Sequence, residues 1–311
     1  MASVSAVSRL EGDEVWVLTS GFLTPTRILH GEAGNELTEI RRAPERFDAS
    51  GLEVRQLWAT SKDGTEIPYY VVGRADNLDG ERPARCLLDG YGGFEVANLP
   101  SYLSITGAGW LENGGVYALA NIRGGGEFGP SWHQAALRSH RHRAYEDFAA
   151  VARDLTTRGI TTVDRLAATG GSNGGLLMGN MYTTYPELFG ALVCRVPLLD
   201  MKRFSHLLAG HSWIDEYGDP DTEDWEFLKN YSPYHNVRPA DSHPPILLTT
   251  SSADDRVHPG HARKFAALLE RHGKDMLFWE NTEGGHGGAA DAKQRAKMLA
   301  LTYAFLDARL S

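Results

Sequence analysis

The chain has 311 residues, of which 42% are hydrophobic and 23% are charged, and it carries a formal net charge of −9. This length allows one large or two ordinary domains, and the composition is that of a soluble globular protein. Proteins that bind nucleic acid usually present a basic face, so the acidic balance argues against that class of partner. No stretch approaches the roughly 18 apolar residues of a membrane span, so we expect no membrane association.

The two cysteines, Cys86 and Cys194, lie in apolar runs that are typical of strands. They predict buried free thiols rather than a disulfide framework. The first residues show no basic region followed by an apolar core, so we expect no signal peptide. Together these features favour a cytoplasmic protein.

Residues 1–55 differ in pattern from the rest of the chain. Short strand candidates at 14–19, 26–30 and 36–40 are divided by Gly, Pro and Asn, and no long helix is evident. We therefore predict a short β-rich segment. An exposed strand edge in this segment would favour a homodimer.

Residues 56–311 are predicted to form a second, α/β domain. It opens on a β-hairpin in which strands at 54–60 and 67–72 flank the turn at 62–64. Beyond about residue 83, strands and helices alternate, which predicts a mostly parallel sheet covered by helices on both faces. The strand candidates are 85–89, 115–122, 166–169, 191–196, 246–250 and 276–280, and helix candidates begin near Ala144, Gly174, Pro259 and Asp291.

Ser172 lies in a G-x-S-x-G pattern between a short strand and an apolar helix. In α/β-hydrolases this pattern forms a sharp strand-to-helix turn that exposes a nucleophilic serine. The chemistry needs small residues at Gly170 and Gly174, because the turn brings neighbouring backbone very close. The pattern therefore predicts an α/β-hydrolase fold with Ser172 as nucleophile.

A serine nucleophile needs a base, and the base needs an orienting carboxylate. Asp254 and Asp255 follow the strand candidate at 246–250, and His286 follows the one at 276–280, in the order Ser, acid, His that the fold uses. We predict a triad of Ser172, His286 and one of these two aspartates. Spacing alone does not decide between them.

The oxyanion of such a reaction needs two hydrogen-bond donors. The backbone amide of Asn173, at the start of the helix, is one candidate. The other is the hydroxyl of Tyr91, in the glycine-rich turn after the strand at 85–89.

Two further patterns suggest cofactors but lack the required context. The glycine-rich run at 124–129 matches a dinucleotide fingerprint, yet Pro130 and Trp132 follow where a helix should open. His258 and His261 have no further ligands at metal spacing, and we predict that they lie on a solvated helix face. We expect neither a cofactor nor a metal.

Five motifs in order resemble the prolyl oligopeptidase family of serine peptidases. They are YGGF at 91–94, NIRGGGEFG at 121–129, GGSNGG at 170–175, SADDRV at 252–257 and GGHGG at 284–288. The similarity covers roughly residues 50–311. It implies an α/β-hydrolase that cleaves short peptides after proline through an acyl-enzyme.

The resemblance also implies a role for each matching residue. Asp254 is then the orienting acid, and Tyr91 and Asn173 form the oxyanion hole. Arg256 resembles the arginine that holds a substrate carbonyl, and Trp213 the indole on which the substrate proline stacks. The remaining residues of the family's apolar pocket are matched in this sequence by Phe94, Leu198, Tyr217 and Val257.

Members of this family carry a seven-bladed propeller, whereas only residues 1–55 precede the hydrolase unit here, and these resemble a last blade. An open site would suit a carboxylesterase that uses the same triad. Asp215 and Glu216, beside Trp213, would suit a peptidase of the oligopeptidase B type, which prefers basic residues. An inactive fragment and a non-catalytic binding protein of the same fold are further alternatives.

Overall fold

The computed structural model describes residues 1–8 and 12–310, and its strands form two separate sheets. The first is antiparallel, with four strands in the order β1-β2-β3-β4, and the second has eight strands in the order β12-β11-β10-β9-β7-β8-β6-β5. The strands are β1 Ala2–Ala6, β2 Glu14–Thr19, β3 Arg27–Glu32, β4 Thr38–Arg42, β5 Leu52–Thr60, β6 Glu66–Arg74, β7 Cys86–Gly90, β8 Val116–Ala120, β9 Leu166–Gly171, β10 Ala191–Arg195, β11 Ile246–Ser251 and β12 Met276–Asn281.

Helices connect the strands of the second sheet. The helices are α1 Ala75–Leu78, α2 Ser104–Thr106, α3 Pro130–Gln134, α4 His142–Thr157, α5 Asn173–Thr184, α6 Ile214–Tyr217, α7 Trp225–Leu228, α8 Pro233–Asn236, α9 Gly260–Arg271 and α10 Ala292–Arg309. None of the helices in the described part of the chain is long and apolar enough to cross a membrane.

The second sheet has the parallel core that the alternating pattern predicts. Six strands, from β12 through β8 in spatial order, pair in parallel, and the hairpin β5–β6 adds two antiparallel strands at one edge. The predicted α/β fold is therefore confirmed. Strand carboxyl ends meet at one edge of such a sheet, which is where its functional residues are expected.

Alternate side chains of each strand supply two cores, one on each face of the sheet. On β10, Leu192 and Cys194 join the core under α4, α5 and α9, whereas Ala191 and Val193 join the core under α10. On α4, the apolar residues at helical spacing are all buried on the first face, namely Phe148, Val151, Ala152 and Leu155. Cys86 and Cys194 are both buried free thiols, as predicted.

The N-terminal sheet includes a strand that the sequence patterns did not predict. Ala2–Ala6 pairs antiparallel with Glu14–Thr19, and all five of its residues are exposed. At the opposite edge all of Thr38–Arg42 is exposed as well. The first strand of the second sheet begins at Leu52, before the predicted boundary near residue 55. The division of the chain into two units at that boundary therefore stays a prediction.

A buried ion pair ties the β5–β6 turn to α4 and to the segment after β8. Arg123 and Asp147 are almost fully buried, and the guanidinium donates to both carboxylate oxygens, at 2.6 and 2.9 Å. Arg123 also donates to Asp63 at 2.6 Å and holds the pKa of that carboxyl well below its usual range. Ser61 donates to Asp147 at 2.6 Å.

Removing one charge from this buried pair should destabilise the fold. We expect Asp147→Asn to lower the free energy of unfolding by about 3 kcal/mol, because Arg123 keeps its charge without its buried partner. Urea denaturation followed by circular dichroism measures the change. The matched control is Glu226→Gln, which removes an exposed ion pair with Lys229 and should cost less than about 1 kcal/mol. Equal effects of the two substitutions would contradict the stabilising role of the Arg123–Asp147 pair.

Candidate active site

Ser172 occupies the sharp turn between β9 and α5. Its backbone has φ 59° and ψ −117°, a strained conformation for a residue with a side chain. The backbone amide of Ser172 donates to the carbonyl of Arg195 at 2.9 Å, and its own carbonyl accepts from the amide of Gly175. These bonds hold the turn and leave the Ser172 side chain half-exposed.

The glycines around this turn are required by contact distance. A Cβ added to Gly170 would lie 2.3 Å from the carbonyl oxygen of Gly174, and one added to Gly174 would lie 2.9 Å from the carbonyl oxygen of Gly90. A Cβ on Gly175 would lie 2.5 Å from Pro197. Backbone from three strand ends therefore meets around the serine.

Asp254, and not Asp255, is placed next to His286. Asp254 is buried in the loop after β11, and both of its carboxylate oxygens lie close to Nδ1 of His286, at 2.8 and 3.0 Å. Its Oδ1 also accepts from the backbone amides of Arg256 and Val257, each at 2.9 Å. Asp255 is exposed. When Nδ1 donates to Asp254, Nε2 of the imidazole is left free to act as a base.

Ser172 and His286 line one cavity of about 350 Å³, together with Tyr91. Among the hydrogen bonds of the described residues, none joins the Ser172 hydroxyl to His286. Such a bond is often long in a free enzyme and shortens when substrate binds. The structure therefore brings Ser172, His286 and Tyr91 to one site, and their catalytic roles stay predictions.

The two predicted oxyanion donors belong to residues next to Ser172, Tyr91 in the same cavity and Asn173 in the chain. The backbone amide of Asn173 begins α5, where no carbonyl of the preceding helical turn is available to accept from it. Burial raises the pKa of Tyr91, against the opposing effect of a hydrogen bond with Ser172. The phenol therefore keeps its proton at neutral pH and can donate it to an oxyanion.

The predicted apolar pocket is an aromatic cluster on the α4 and α9 face of the sheet. The ring centroid of Phe94 lies 5.6 Å from that of Tyr217 and 6.4 Å from that of Trp213, both edge to face. Phe94 and Trp213 are half-buried. Leu198, Tyr217 and Val257 are fully buried beneath them. Only the two half-buried rings are thus accessible to a ligand in this structure.

A buried charge network that the sequence patterns did not predict links this cluster to Asn173. Arg141 is about 1% exposed; it donates to Glu216 at 2.7 Å and to the side-chain oxygen of Asn173. The Tyr217 hydroxyl donates to the same oxygen at 2.9 Å. The side-chain Nδ2 of Asn173 donates to the backbone carbonyl of Tyr91 at 2.6 Å. The network therefore connects the oxyanion donors to the aromatic cluster.

Glu216 is already occupied by neighbouring donors. Besides Arg141, it accepts from the backbone amide of Phe94 at 2.8 Å and contacts Nε2 of His133 at 2.7 Å. Its side chain is about 5% exposed. It is therefore not free to bind a basic substrate residue, and Asp215 is the only exposed acid of that pair.

Arg256 lies in the loop between Asp254 and Val257. Its backbone amide donates to Asp254, and the residue is exposed. The residue is therefore at the surface in the loop that carries Asp254, and its contact with a substrate carbonyl stays a prediction.

The glycine-rich run at 124–129 packs against the Tyr91 loop, and the expectation that no helix opens after it is wrong, because the short helix α3 begins at Pro130. A Cβ on Gly124 would lie 2.4 Å from the carbonyl oxygen of Gly92, and one on Gly126 would lie 2.1 Å from that of Glu95. The glycines allow two loops to touch. They thereby support the turn that carries Tyr91.

The expectation that His261 lies on a solvated face is wrong. The side chain is about 2% exposed, and Nδ1 accepts from the backbone amides of Leu199 and Asp200. Burial lowers the pKa of His261 to about 4, so it is neutral in the fold. Within residues 1–8 and 12–310, no group of three His, Cys, Asp or Glu side chains could hold a metal ion.

Comparison with known proteins gives consistent matches. The model of the prolyl oligopeptidase family matches residues 102–311. An uncharacterized peptidase of Sinorhizobium fredii is 48% identical over 96% of this chain, and a prolyl endopeptidase of Elizabethkingia miricola is 35% identical over 90%. The chain spans 42% and 40% of these relatives, so it covers less than half of their length.

A solved structure with the same arrangement covers the whole chain. The structure of a post-proline cleaving enzyme from Rickettsia typhi superposes with a TM-score of 0.92 at 39% identity. It matches all of this chain, which in turn covers 45% of that protein.

The arrangement predicts which aspartate supports the reactivity of Ser172. We expect Asp254→Asn to slow labelling of Ser172 by a fluorophosphonate at least about a hundredfold, because an amide cannot stabilise the imidazolium. The neighbouring Asp255→Asn is the matched control and should change the rate less than about threefold. Mass spectrometry of the labelled peptide gives the rates. The assignment of Asp254 is rejected if both variants label at the wild-type rate or if Asp255→Asn is the slower one.

Proposed function

The chain belongs to the prolyl oligopeptidase family, and from that premise we propose that it hydrolyses short peptides on the carboxyl side of proline. The observation that carries the proposal is the hydrogen bond between Asp254 and His286 at the cavity that Ser172 also lines. This pairing leaves one imidazole nitrogen available to the serine. The reaction passes through an acyl-enzyme on Ser172.

In the first step His286 acts as general base. Nε2 takes the proton of the Ser172 hydroxyl while Oγ forms a bond to the carbonyl carbon of the scissile peptide. The imidazolium is stabilised by Asp254, which already accepts from two backbone amides and so is held in position. The negative oxygen of the tetrahedral intermediate accepts from the Tyr91 hydroxyl and the Asn173 amide.

In the second step His286 acts as general acid. The C–N bond breaks, the nitrogen takes the proton from Nε2, and the acyl group stays on Ser172. A water molecule then gives a proton to Nε2 and attacks the ester carbonyl, and the proton returns to Ser172 Oγ as the acid product leaves.

Preference for proline is supported by the aromatic cluster. A flat, rigid pyrrolidine ring packs well on an aromatic face, and the half-buried rings of Trp213 and Phe94 present such surfaces. The occupied carboxylate of Glu216 argues against a pocket for a basic residue, because a second cation would have to displace Arg141 or His133. The exposed Arg256 can donate to a carbonyl of the bound peptide.

Hydrolysis of three substrates tests the proposal. We expect wild-type protein to cleave a blocked Gly-Pro anilide, to cleave a blocked arginyl anilide at least about a hundredfold more slowly, and to lose prolyl cleavage in Ser172→Ala. The matched control, Ser131→Ala, changes an exposed serine on α3 and should retain the wild-type rate. Both anilides are used as p-nitroanilides, so release of nitroaniline measures each rate.

Hydrolysis of p-nitrophenyl butyrate distinguishes the carboxylesterase alternative. Ester cleavage without prolyl cleavage, abolished by Ser172→Ala, would reject the peptidase and retain the triad. Arginyl cleavage faster than prolyl cleavage would reject the pocket.

We also propose that residues 1–55 form a unit distinct from the catalytic unit at 56–311, and that two chains associate through it. Both edge strands of the first sheet, β1 and β4, are fully exposed and pair with a single neighbour each. Unpaired strand edges are ready templates for a second chain.

Light scattering at micromolar concentration should give twice the 34.1 kDa mass of one chain. The double variant Val4→Lys and Ile40→Lys places charges on both edges and should yield the single-chain mass. The control, Val163→Lys, alters an exposed valine of the catalytic unit. A wild-type protein with the mass of one chain would reject the association.

A further inference from the structure

The cavity beside Ser172 contains an arginine that the proposed reaction does not use. Arg195, the last residue of β10, lines it together with Ser172 and His286. The neighbouring residue on β9 is Gly171, and a methyl group added there would lie 3.7 Å from Cβ and 3.9 Å from Nε of Arg195. The arginine therefore extends over a position without a side chain, next to the reacting serine.

The guanidinium of Arg195 is without a close partner. Among the described residues, none forms a hydrogen bond or an ion pair within 4 Å with its side chain, and its Nε is buried without an acceptor. The two buried arginines elsewhere in the described chain both have ion-pair partners, two aspartates for Arg123 and Glu216 for Arg141, although Nε of Arg141 also lacks an acceptor. A partly buried donor without an acceptor is unfavourable and would be stabilised by an anionic ligand.

Asp89, on β7, is the acid that shares this cavity with Arg195. It accepts from the Tyr117 hydroxyl at 3.2 Å and makes no ion pair with Arg195 within 4 Å. Burial raises the pKa of Asp89, with the charge of Arg195 opposing that effect. Asp89 is half-buried, and its carboxylate is not placed to pair with the guanidinium of Arg195.

The cavity lies on the opposite side of the sheet from the aromatic cluster. Arg195 follows Ala191 and Val193 at alternate positions of β10, so it belongs to the α10 face. Tyr217 and Val257 belong to the α4 and α9 face. If the acyl part of the substrate contacts the α4 and α9 face, the leaving part extends toward the α10 face.

His286 gives independent support for the same direction. The general acid must lie within hydrogen-bond reach of the leaving nitrogen. His286, Gly287 and Gly288 line the cavity with Arg195. The volume, about 350 Å³, is within the range of small-ligand pockets and has room for a short leaving fragment.

We propose that Arg195 binds a carboxylate of the leaving fragment, and that the enzyme therefore favours substrates with a carboxylate on the first residue after the scissile bond. The inference rests on the proposed function for the direction of the substrate. The carboxylate has two possible sources, the free carboxyl terminus of a single leaving residue and the side chain of Asp or Glu at that position.

Paired substrates test the proposal through ratios of kcat/KM. The first pair is blocked Gly-Pro-Ala with a free carboxylate or a carboxamide, and the second is blocked Gly-Pro-Glu-amide or Gly-Pro-Gln-amide. We expect the charged member of at least one pair to be preferred by about tenfold or more, which is the size of one charge-assisted hydrogen bond. The first pair reports the terminal source, and the second the side-chain source.

Substitution of Arg195 should remove the preference. In Arg195→Gln the ratio should fall to about one, and in Arg195→Lys part of it should remain, because lysine keeps the charge without the fork of donors. The matched control, Arg271→Gln, removes one exposed positive charge at the end of α9 and should keep the wild-type ratio. The wild-type ratios need no variant, so they test the proposal even if a variant fails to fold.

A third pair separates this proposal from the proposed function. Butyrate esters of 4-hydroxybenzoate and of its amide carry the same charge difference on a leaving group that contains no proline bond. A preference for the carboxylate ester without prolyl cleavage supports the Arg195 site and rejects the prolyl peptidase. Ratios near one in all three pairs, or a ratio unchanged in Arg195→Gln, overturn the proposal. Arg195 would then have no role in binding the leaving fragment.

Discussion

Close contact between backbone segments around Ser172 is the constraint on which the rest of the site depends. The serine is held at positive φ, and Gly170, Gly174 and Gly90 have no space for a Cβ. This contact brings the end of β9, the start of α5 and the Tyr91 loop within reach of one atom. The two predicted oxyanion donors, Tyr91 and the backbone amide of Asn173, are therefore brought next to Ser172 from separate parts of the chain. The strain at Ser172 is maintained because glycine packing and backbone hydrogen bonds leave the turn no alternative.

A buried charge network extends this constraint to the aromatic cluster. Arg141 is surrounded by protein, and burying a guanidinium is costly unless its donors are used. One partner, Asn173, follows Ser172 in the turn before α5. The other, Glu216, accepts a hydrogen bond from the backbone amide of Phe94. The position of the aromatic rings is thereby coupled to the position of the oxyanion donors. For the proposed reaction, this coupling would set how far a substrate ring bound on the cluster lies from Ser172, and so would join binding to reaction geometry.

Strand ends were predictable from sequence, whereas the charged residues that support them were not. Ser172 and His286 each follow an apolar run, and the carboxyl ends of parallel strands meet at one edge, so order and spacing were enough to predict their proximity. The choice of Asp254 over Asp255 needed the direction of two adjacent side chains. Arg141 and Glu216 are 75 positions apart, and a charged residue is normally expected at the surface. The local pattern around His261 predicts a solvated face. It does not show the burial, because the backbone amides that donate to His261 belong to a distant loop. The strand at 2–6 depends in the same way on pairing with 14–19.

Arg195 shows how the two faces of the sheet can serve two parts of one substrate. Ser172 lies at the edge between the faces, with aromatic rings on one and an arginine over a glycine on the other. An apolar residue at the end of β10 would continue the core formed by Ala191 and Val193 at no cost of desolvation. An arginine without a close partner gives up that stabilisation, and local departures from the expected pattern are most often found where a protein binds something. In the proposed reaction His286 protonates the leaving nitrogen on this side of Ser172, where the cavity places the arginine. Under the same proposal, the charge of Arg195 acts on the leaving fragment and leaves the pocket for the acyl residue unchanged.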